Sequence, residues 1–233
     1  MNIGTTRTAR HGLLRAGMQD RARAARRSAF AVGALRGLAD RGFALLALLF
    51  FSPFILAVAL AILICDGRPL FFGQRRIGKD GRYFTCLKFR TMSRDADQRL
   101  KVLLDTDPRV REEWERHQKL DNDPRVNCLG RFLRKSSMDE LPQFLNVLRG
   151  DMALVGPRPI IDEETHHYGD HLADYMSVKP GLTGHWQVSG RSDTTYAERV
   201  AMDVEYIRNR SVARDAAIVA RTVKVVLTGR GAS

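Results

Sequence analysis

An uncharged apolar segment fills residues 42–65 and limits the possible architectures more than any other part of the chain; it reads GFALLALLFFSPFILAVALAILIC. As a straight helix it is long enough to cross a membrane hydrocarbon core of about 30 Å. Ser52 and Pro53 lie near its middle, and a proline removes a backbone donor and clashes with the preceding turn, so we expect a helix break there. The Ser52 hydroxyl can satisfy a carbonyl that the proline leaves without a partner. The sequence therefore predicts a membrane helix over residues 39–66.

Basic residues flank this segment on both sides. They are Arg36 and Arg41 before it, and Arg68, Arg75, Arg76 and Lys79 after it. The positive-inside rule favours the cytoplasmic side for both ends, which a bent, re-entrant helix in one leaflet would satisfy. A kinked helix that crosses the membrane is the alternative, and the flanking charges alone leave both open.

The chain as a whole is basic, with 38 Lys and Arg against 26 Asp and Glu and a net charge of +12 over 233 residues. This balance predicts an anionic partner: nucleic acid, an acidic membrane surface or phosphorylated ligands. Residues 1–38 are especially rich in arginine, and we interpret them as a mobile basic arm. Next to an apolar segment, attraction to anionic lipid is the favoured use of such an arm.

Residues 67–233 are polar enough to form a folded cytosolic domain. Apolar and β-favouring residues on both sides of Asp80-Gly81 predict a hairpin. Charged periodic sequence predicts helix from residue 94 to about residue 117, with a break near Asp107-Pro108. Two C-terminal helices are expected, one starting at a capping box Thr195-x-x-Glu198 and one after residue 211. We therefore expect a helix-dominated α+β fold with a small β-hairpin, associated with the membrane through the broken re-entrant helix.

Two adjacent carboxylates, Asp139 and Glu140, are the strongest candidates for chemistry. Ser137-x-x-Glu140 fits a capping box, Asp139 could itself be the N-cap, and Pro142 favours a helix that begins close to Asp139. A carboxylate at the positive end of a helix is stabilised in its ionised form and could act as a nucleophile, and a second one could hold a divalent metal. Simple helix capping is the alternative reading of the same residues.

Two loop arginines are the second candidate group. Arg158 lies between two prolines in VGPRP, and Arg191 follows a glycine in VSGR. A planar guanidinium on such a loop is suited to bidentate phosphate binding. An ordinary solvated arginine is the alternative for each.

Several long motifs in order resemble the bacterial sugar transferase family, the monotopic polyprenyl-phosphate phosphoglycosyl transferases. They are the Ser52-Pro53 segment, KFRTM at 88–92, RKSSMDELPQ at 134–143, NVLRGDMALVGPRP at 146–159 and KPGLTGHWQVSGR at 179–191. The resemblance is strongest to the hexose-1-phosphate transferases that initiate exopolysaccharide synthesis. It favours the re-entrant form of the membrane helix, with the break at Ser52-Pro53.

The resemblance implies a reaction and a set of roles. Asp139 would attack the β-phosphate of a UDP-sugar and release UMP, and Glu140 would help to hold Mg²⁺. Undecaprenyl (polyprenyl) phosphate would then take the sugar phosphate from Asp139. Arg158 and Arg191 match phosphate-binding or nucleotide-binding positions, and Arg134 matches a position that could contact the acceptor phosphate. Asp203 and Asp215 match recurrent acidic positions and are carried as substrate-binding candidates.

The same resemblance predicts the cellular setting. The enzyme would lie on the bacterial inner membrane with its catalytic domain facing the cytoplasm, use membrane lipid and downstream glycosyltransferases as partners, and bind no nucleic acid. Galactose or glucose is the favoured sugar, although no sugar-contacting residue supports the choice. The alternatives are a Mg²⁺-dependent nucleotide-sugar hydrolase, which needs no lipid acceptor, and a membrane-tethered nucleic-acid-binding protein.

Overall fold

The computed structural model describes the backbone of residues 4–117, 120, 123–189 and 194–228, and the side chains of residues 31–114, 120, 123–189 and 194–225. Helices predominate, as expected. The helices are α1 (Gly4–Asp66), α2 (Ala96–Thr106), α3 (Pro108–His117), α4 (Cys128–Lys135), α5 (Gln143–Arg149), α6 (Leu172–Met176), α7 (His185–Ser189), α8 (Tyr196–Arg208) and α9 (Val212–Thr228). The strands are β1 (Phe71–Ile77), β2 (Tyr83–Phe89), β3 (Ala153–Val155) and β4 (Gly181–Thr183).

Helix α1 continues through Pro53 as one helix, which differs from the expected break. The reason is local: Pro53 leaves the carbonyl of Leu49 without its usual amide donor, and the Ser52 hydroxyl donates to that carbonyl at 2.7 Å. The serine thus fulfils the predicted compensation, and the helix does not need to end. The helix also begins at Gly4, inside the segment for which composition predicted a mobile arm, and alanine and arginine both favour helix.

The apolar part of α1 packs against the rest of the chain along its length. Ala44 and Ala47 near its start and Val58 and Ile62 near its end are buried in one cluster with residues of β2, α4 and α5. These positions recur at helical spacing and so share one face. On the other faces of the helix, leucine and phenylalanine side chains are exposed, and the exposed fraction reaches 77% for Phe50. Within the described part of the chain, residues Ala31–Asp66 of α1 are the one stretch long and apolar enough to cross a membrane, and an 18-residue window inside it has a mean hydropathy of 2.8.

Both ends of this apolar stretch are fixed to the same domain. At the start, Arg36 forms an ion pair with Asp215 of α9, with 3.4 Å between Nη2 and Oδ2. At the end, Asn127 donates to the Asp66 carboxylate at 2.7 Å, and Arg90 donates to the Asp66 carbonyl at 2.9 Å. The stretch therefore lies along the domain and does not project from it.

The hairpin predicted at Asp80-Gly81 is confirmed. Strands β1 and β2 pair antiparallel, from Phe71 opposite Phe89 to Ile77 opposite Tyr83. A short 3₁₀ turn at Lys79–Gly81 joins them, and both Asp80 and Gly81 have positive φ angles, which glycine and aspartate tolerate better than most residues. The predicted helix break at Asp107-Pro108 and both C-terminal helices are also confirmed, including the reciprocal capping bonds between Thr195 and Glu198.

The two Pro/Gly-rich loops contain a short parallel sheet that the sequence did not reveal. Ala153 of β3 lies opposite Gly181 of β4, and Val155 lies opposite Thr183. A Cβ atom at Gly181 would collide with the backbone of Gly156, so this close approach requires glycine. The glycines therefore bring the loop that carries Arg158 against the second loop.

The division of the chain into a basic arm (1–38), a membrane helix (39–66) and a catalytic domain (67–233) stays a prediction.

Candidate active site

Asp139 and Glu140 lie in a 3₁₀ turn, Met138–Glu140, between α4 and α5. The expected capping box is wrong: Ser137 makes no side-chain cap bond, and α5 begins at Gln143 after Pro142. Ser137 has a φ of 56°, a left-handed conformation that costs a residue with a side chain free energy and is frequent at functional sites. This turn directs the Glu140 carboxylate to a cation on another element, away from its own helix.

That cation is Lys88 of β2. Its Nζ lies 2.6 Å from Glu140 Oε1 and 3.8 Å from Asp139 Oδ2, so one ammonium group contacts both carboxylates. Lys88 is the lysine of the KFRTM motif, and the motif alone did not predict a role for it. Alternation along a strand could have indicated that Lys88 and Arg90 share one face.

Asn146 sets the distance between Lys88 and the dyad. Its side chain is fully buried in α5, accepts from the amide of Leu87 at 3.0 Å and donates to the carbonyl of Thr85 at 2.7 Å. Both partners belong to the unpaired edge of β2. The amide thus holds the helix that follows the dyad against the strand that carries Lys88, and it was also missed from sequence.

The electrostatics leave both carboxylates able to ionise near neutral pH. Burial raises the pKa of Asp139 to about 6, the Glu140 charge adds to the shift, and Lys88 and Arg134 oppose it. Burial also acts to raise the pKa of Glu140, but the Lys88 ammonium, together with Arg158 and Arg76, outweighs it and holds that pKa below its usual value. Asp139 is therefore a mostly buried carboxylate that is ionised above about pH 6, which suits a nucleophile.

Arg158 meets a second arginine at Trp186. The Arg158 Cζ lies 5.5 Å from the Trp186 ring centroid, and the Arg199 Cζ lies 4.4 Å from it. Trp186 is buried, and its indole N–H donates to Thr194 at 2.7 Å. Two guanidinium groups on one fixed ring form a place where an anionic group can bind. Arg199, on α8, was not a sequence candidate.

The Arg158 loop is held from both sides by buried groups. The backbone N–H of Arg158 interacts with the carboxylate of Asp203, which also accepts from the Tyr168 hydroxyl at 2.8 Å. On the other side, the Arg76 guanidinium donates to the carbonyl of Pro159 at 2.7 Å. Burial raises the pKa of Asp203 to about 7, although the Tyr168 hydroxyl, the Arg158 amide and nearby guanidinium groups act against it.

The remaining candidate residues differ in whether they line the cavity that contains the dyad. Asp203 and Asp215 lie outside the cavity that contains the dyad, so a direct substrate contact stays a prediction for both. Asp215 instead accepts from the Tyr206 hydroxyl at 2.7 Å, and Tyr206 also contacts the carbonyl of Val155, just before the Arg158 loop. Arg134 lines the cavity, with its Nε donating to Thr91 at 2.9 Å. Arg191 lies outside the described residues.

Asp139, Glu140, Arg134, Arg158 and Arg199 line one cavity of about 1720 Å³. Small-molecule pockets are usually about 300–1,000 Å³, so this cavity has room for more than one such ligand. One part of its wall carries the dyad and the arginines, and another part carries aromatic and aliphatic side chains of α1. The candidate site thus joins a polar reaction centre to the apolar membrane helix.

The dyad is compatible with a Mg²⁺ site that substrate phosphates and water complete. Across the described residues there is no group of three or more His, Cys, Asp or Glu side chains that could enclose a metal ion. Mg²⁺ needs no such cage, because it is commonly bound by one or two carboxylates together with substrate phosphates and water. Lys88 contacts Glu140 through one oxygen, Oε1, and among the described residues no hydrogen bond to the second oxygen competes with a metal ion.

Comparison with known proteins defines the family. The family model described as bacterial sugar transferase matches residues 32–229. The exopolysaccharide production protein ExoY of Rhizobium meliloti (strain 1021) is 46% identical over 205 residues, which cover 86% of this chain and 91% of ExoY.

Two longer relatives carry names that describe their reactions. The undecaprenyl-phosphate galactose phosphotransferase of Salmonella typhimurium is 51% identical over 167 residues, covering 72% of this chain and 35% of that protein. The UDP-glucose:undecaprenyl-phosphate glucose-1-phosphate transferase of Escherichia coli (strain K12) is 40% identical over 197 residues, which cover 81% of this chain and 39% of that protein. The motifs, the arrangement around the dyad and these matches lead to one conclusion: the chain is an enzyme of the bacterial sugar transferase family.

Proposed function

We propose that this enzyme transfers a sugar 1-phosphate from a UDP-sugar to undecaprenyl phosphate and releases UMP, as the first membrane step of exopolysaccharide synthesis. The observation that carries the proposal is the position of the Asp139–Glu140 dyad, in which Asp139 is buried. It lies in a cavity that is bounded by arginines in one part and by the apolar face of α1 in another. A water-soluble anionic donor and a membrane-bound anionic acceptor both need access to such a centre.

In the first half-reaction, Asp139 Oδ attacks the β-phosphorus of the UDP-sugar. The new P–O bond joins the carboxylate to the phosphosugar, and the bond from the β-phosphorus to the bridging oxygen breaks with its electron pair leaving on UMP. Arg158 and Arg199, which meet at Trp186, would bind the donor phosphates. Lys88 holds the two carboxylates of the dyad in place and balances part of their charge.

In the second half-reaction, a phosphate oxygen of the acceptor attacks the same phosphorus. The bond to Asp139 breaks, the carboxylate is restored, and a polyprenyl diphosphate sugar is formed. Arg134, which lines the cavity and donates to Thr91, would contact the acceptor phosphate. Because one carboxylate serves both steps, the cycle is of the ping-pong type.

Mg²⁺ is the expected cofactor, and Glu140 would help to hold it together with phosphate oxygens of the substrate. When bound, it would neutralise charge on the diphosphate. The proposed roles of Lys88 and the arginines add positive charge that is present in the protein itself.

We place the enzyme on the cytoplasmic face of the inner membrane, with α1 embedded in one leaflet. The packing supports this arrangement because the apolar stretch is fixed to the domain at Arg36 and again at Asp66. If the stretch crossed the bilayer, the domain beside it would also have to lie in hydrocarbon, where its charged surface would cost several kcal/mol per charge. A helix that stays on one side avoids this cost. Cysteines introduced at positions 10 and 230 would then be labelled only from the cytoplasmic side.

The reaction is tested by measuring UMP release from a panel of UDP-sugars by the detergent-solubilised protein with Mg²⁺ and undecaprenyl phosphate. Galactose and glucose donors come first, because names of the relatives include both sugars. We expect lipid-linked product with one donor and none with Asp139→Asn. Release of free sugar phosphate without any lipid acceptor would instead identify a nucleotide-sugar hydrolase.

A further inference from the structure

One patch of the cavity wall carries polar side chains that the proposed reaction steps do not use. Gln74 of β1 and Glu164, in the 3₁₀ segment Asp162–His167, both line the cavity that contains the dyad. In the hairpin, Gln74 lies opposite Cys86, two residues before Lys88, so Gln74 and Lys88 project from the same face of the sheet. Diagonal neighbours of this kind are about 7–8 Å apart. The patch therefore begins beside the cation that contacts both carboxylates of the dyad.

Arg76 is buried and fixes both side chains of the patch. Its Nη2 donates to Gln74 Oε1 at 2.6 Å, and its Nη1 donates to Glu164 Oε2 at 3.3 Å. The same Nη1 donates to the carbonyl of Pro159 at 2.7 Å, next to Arg158. One buried cation thus sets the position of the patch relative to the loop that carries Arg158.

These contacts leave part of the hydrogen-bonding capacity of the patch unused. Arginine only donates, so the Gln74 oxygen faces Arg76 and the amide N–H₂ points elsewhere; among the described residues, no group accepts from it. Glu164 accepts from Arg76 and from the amide of Ile161, the latter at 2.9 Å. The Tyr196 hydroxyl is its third donor, and an ionised carboxylate has about four acceptor sites. The patch therefore offers two donors and about one acceptor site to a ligand in the cavity.

This chemistry fits the hydroxyl groups of a neutral sugar. A carboxylate accepts from hydroxyl groups and repels phosphate, and an amide N–H₂ donates to hydroxyl oxygens. We infer that Gln74 and Glu164 bind hydroxyl groups of the hexose of the UDP-sugar, while the arginines bind its phosphates. The inference rests on the proposed function, which attaches the sugar phosphate to Asp139. The ribose also carries hydroxyl groups, but it leaves with UMP, whereas the hexose stays on the phosphorus beside the dyad.

Each residue of the patch has a matched control in the chain. Glu163 is the neighbour of Glu164, is exposed and does not line the cavity. Gln98 on α2 is also exposed and does not line the cavity. Glu164→Gln and Glu163→Gln make the same exchange, as do Gln74→Met and Gln98→Met. A difference within either pair therefore reports on the position in the cavity and not on the exchange itself.

The test measures UMP formation by the full chain with saturating undecaprenyl phosphate, using the accepted UDP-hexose and analogues that each lack one hydroxyl group of the hexose. We expect Glu164→Gln and Gln74→Met each to lower kcat/KM for the intact donor about tenfold, and the two controls to change it less than about twofold. Wild type should lose about tenfold or more with the analogue that lacks the bound hydroxyl, and the patch variant should lose little more with it. Inhibition by UMP should stay unchanged, because UMP carries no hexose.

Equal effects of a patch variant and its control, or none, would overturn the inference. So would losses that multiply with every analogue, because the side chain would then not contact the hexose. Weaker inhibition by UMP would also overturn it, since the patch would then act on the nucleotide or through the Arg158 loop.

A binding measurement gives a readout without turnover. Calorimetry on Asp139→Asn should show that adding Glu164→Gln weakens binding of the UDP-hexose and leaves binding of UMP unchanged; equal weakening of both would count against the hexose contact. If wild type forms no UMP from any UDP-sugar, the proposed function fails and this inference fails with it. A normal wild-type reaction with unaffected patch variants would refute the inference alone.

Discussion

The raised pKa of buried Asp203 can be tested with the variant Asp203→Asn, in which an amide group replaces one carboxyl oxygen. The carboxyl is 2% exposed, accepts from Tyr168 and interacts with the backbone N–H of Arg158, and burial raises its pKa to about 7. Asp203→Asn keeps an oxygen that can accept these bonds but cannot ionise. We therefore expect the variant to be stabilised relative to wild type as the pH rises.

The sign and size follow from proton linkage. The folded chain binds the Asp203 proton more tightly than the unfolded chain, whose pKa is near 3.8, so this carboxyl lowers the free energy of unfolding as pH rises from about 4 to about 7. Between pH 5 and pH 8 the loss is about 2.5 kcal/mol. For a chain of this size, that corresponds to about 5–10 °C in Tm.

The assay is thermal unfolding of the full chain in detergent at pH 5 and pH 8, with wild type and Asp203→Asn compared at each pH. Other groups titrate over the same range, so the difference between the two proteins is the quantity that matters. Asp105→Asn, at an exposed site on α2, serves as a control whose difference from wild type should not change. A constant difference for Asp203→Asn from pH 5 to pH 8 would refute the buried, protonated carboxyl.

Three further predictions follow from the contacts of the site. Lys88→Met should lower kcat on the order of 10²-fold, because it removes the cation shared by both carboxylates, whereas Lys101→Met on exposed α2 should have no effect in the same UMP assay. Arg199→Gln should raise KM for the UDP-sugar about tenfold or more and leave KM for the lipid acceptor unchanged; a change in the acceptor value alone would place Arg199 elsewhere. Gly181→Ala should destabilise the fold by about 1–3 kcal/mol, since its methyl group would meet the Gly156 backbone, and unfolding like that of Gly37→Ala, which has open space, would contradict the close packing.

The elements that local signals specify were predictable from sequence. The turn residues at Asp80-Gly81 and the proline at position 108 act within a few residues of themselves, and the hairpin and the helix break follow directly. The dyad was found because two carboxylates stand beside each other in a recognisable motif. The short strands β3 and β4 could not be predicted, because proline and glycine in those loops favour irregular structure.

The partners of the dyad could not be read from the sequence because they arrive from distant elements. Lys88 reaches Glu140 across 52 positions in the chain, and its distance depends on Asn146 bonding the edge of β2. The role proposed for Arg199 depends on its contact with Trp186, which α7 positions beside it. The helix start was misplaced because the left-handed Ser137 turns the chain before α5 begins, a conformation that a capping pattern does not predict.

The central claim is that Asp139 carries the phosphosugar between donor and acceptor. The most direct measurement is the intact mass of the protein after incubation with Mg²⁺ and the accepted UDP-sugar, with no lipid acceptor present. We predict one added hexose phosphate per chain, located by fragmentation to Asp139, with UMP formed in equal amount and the adduct removed by undecaprenyl phosphate. An unmodified protein that releases UMP only when acceptor is present would contradict the claim and show direct transfer between the two substrates.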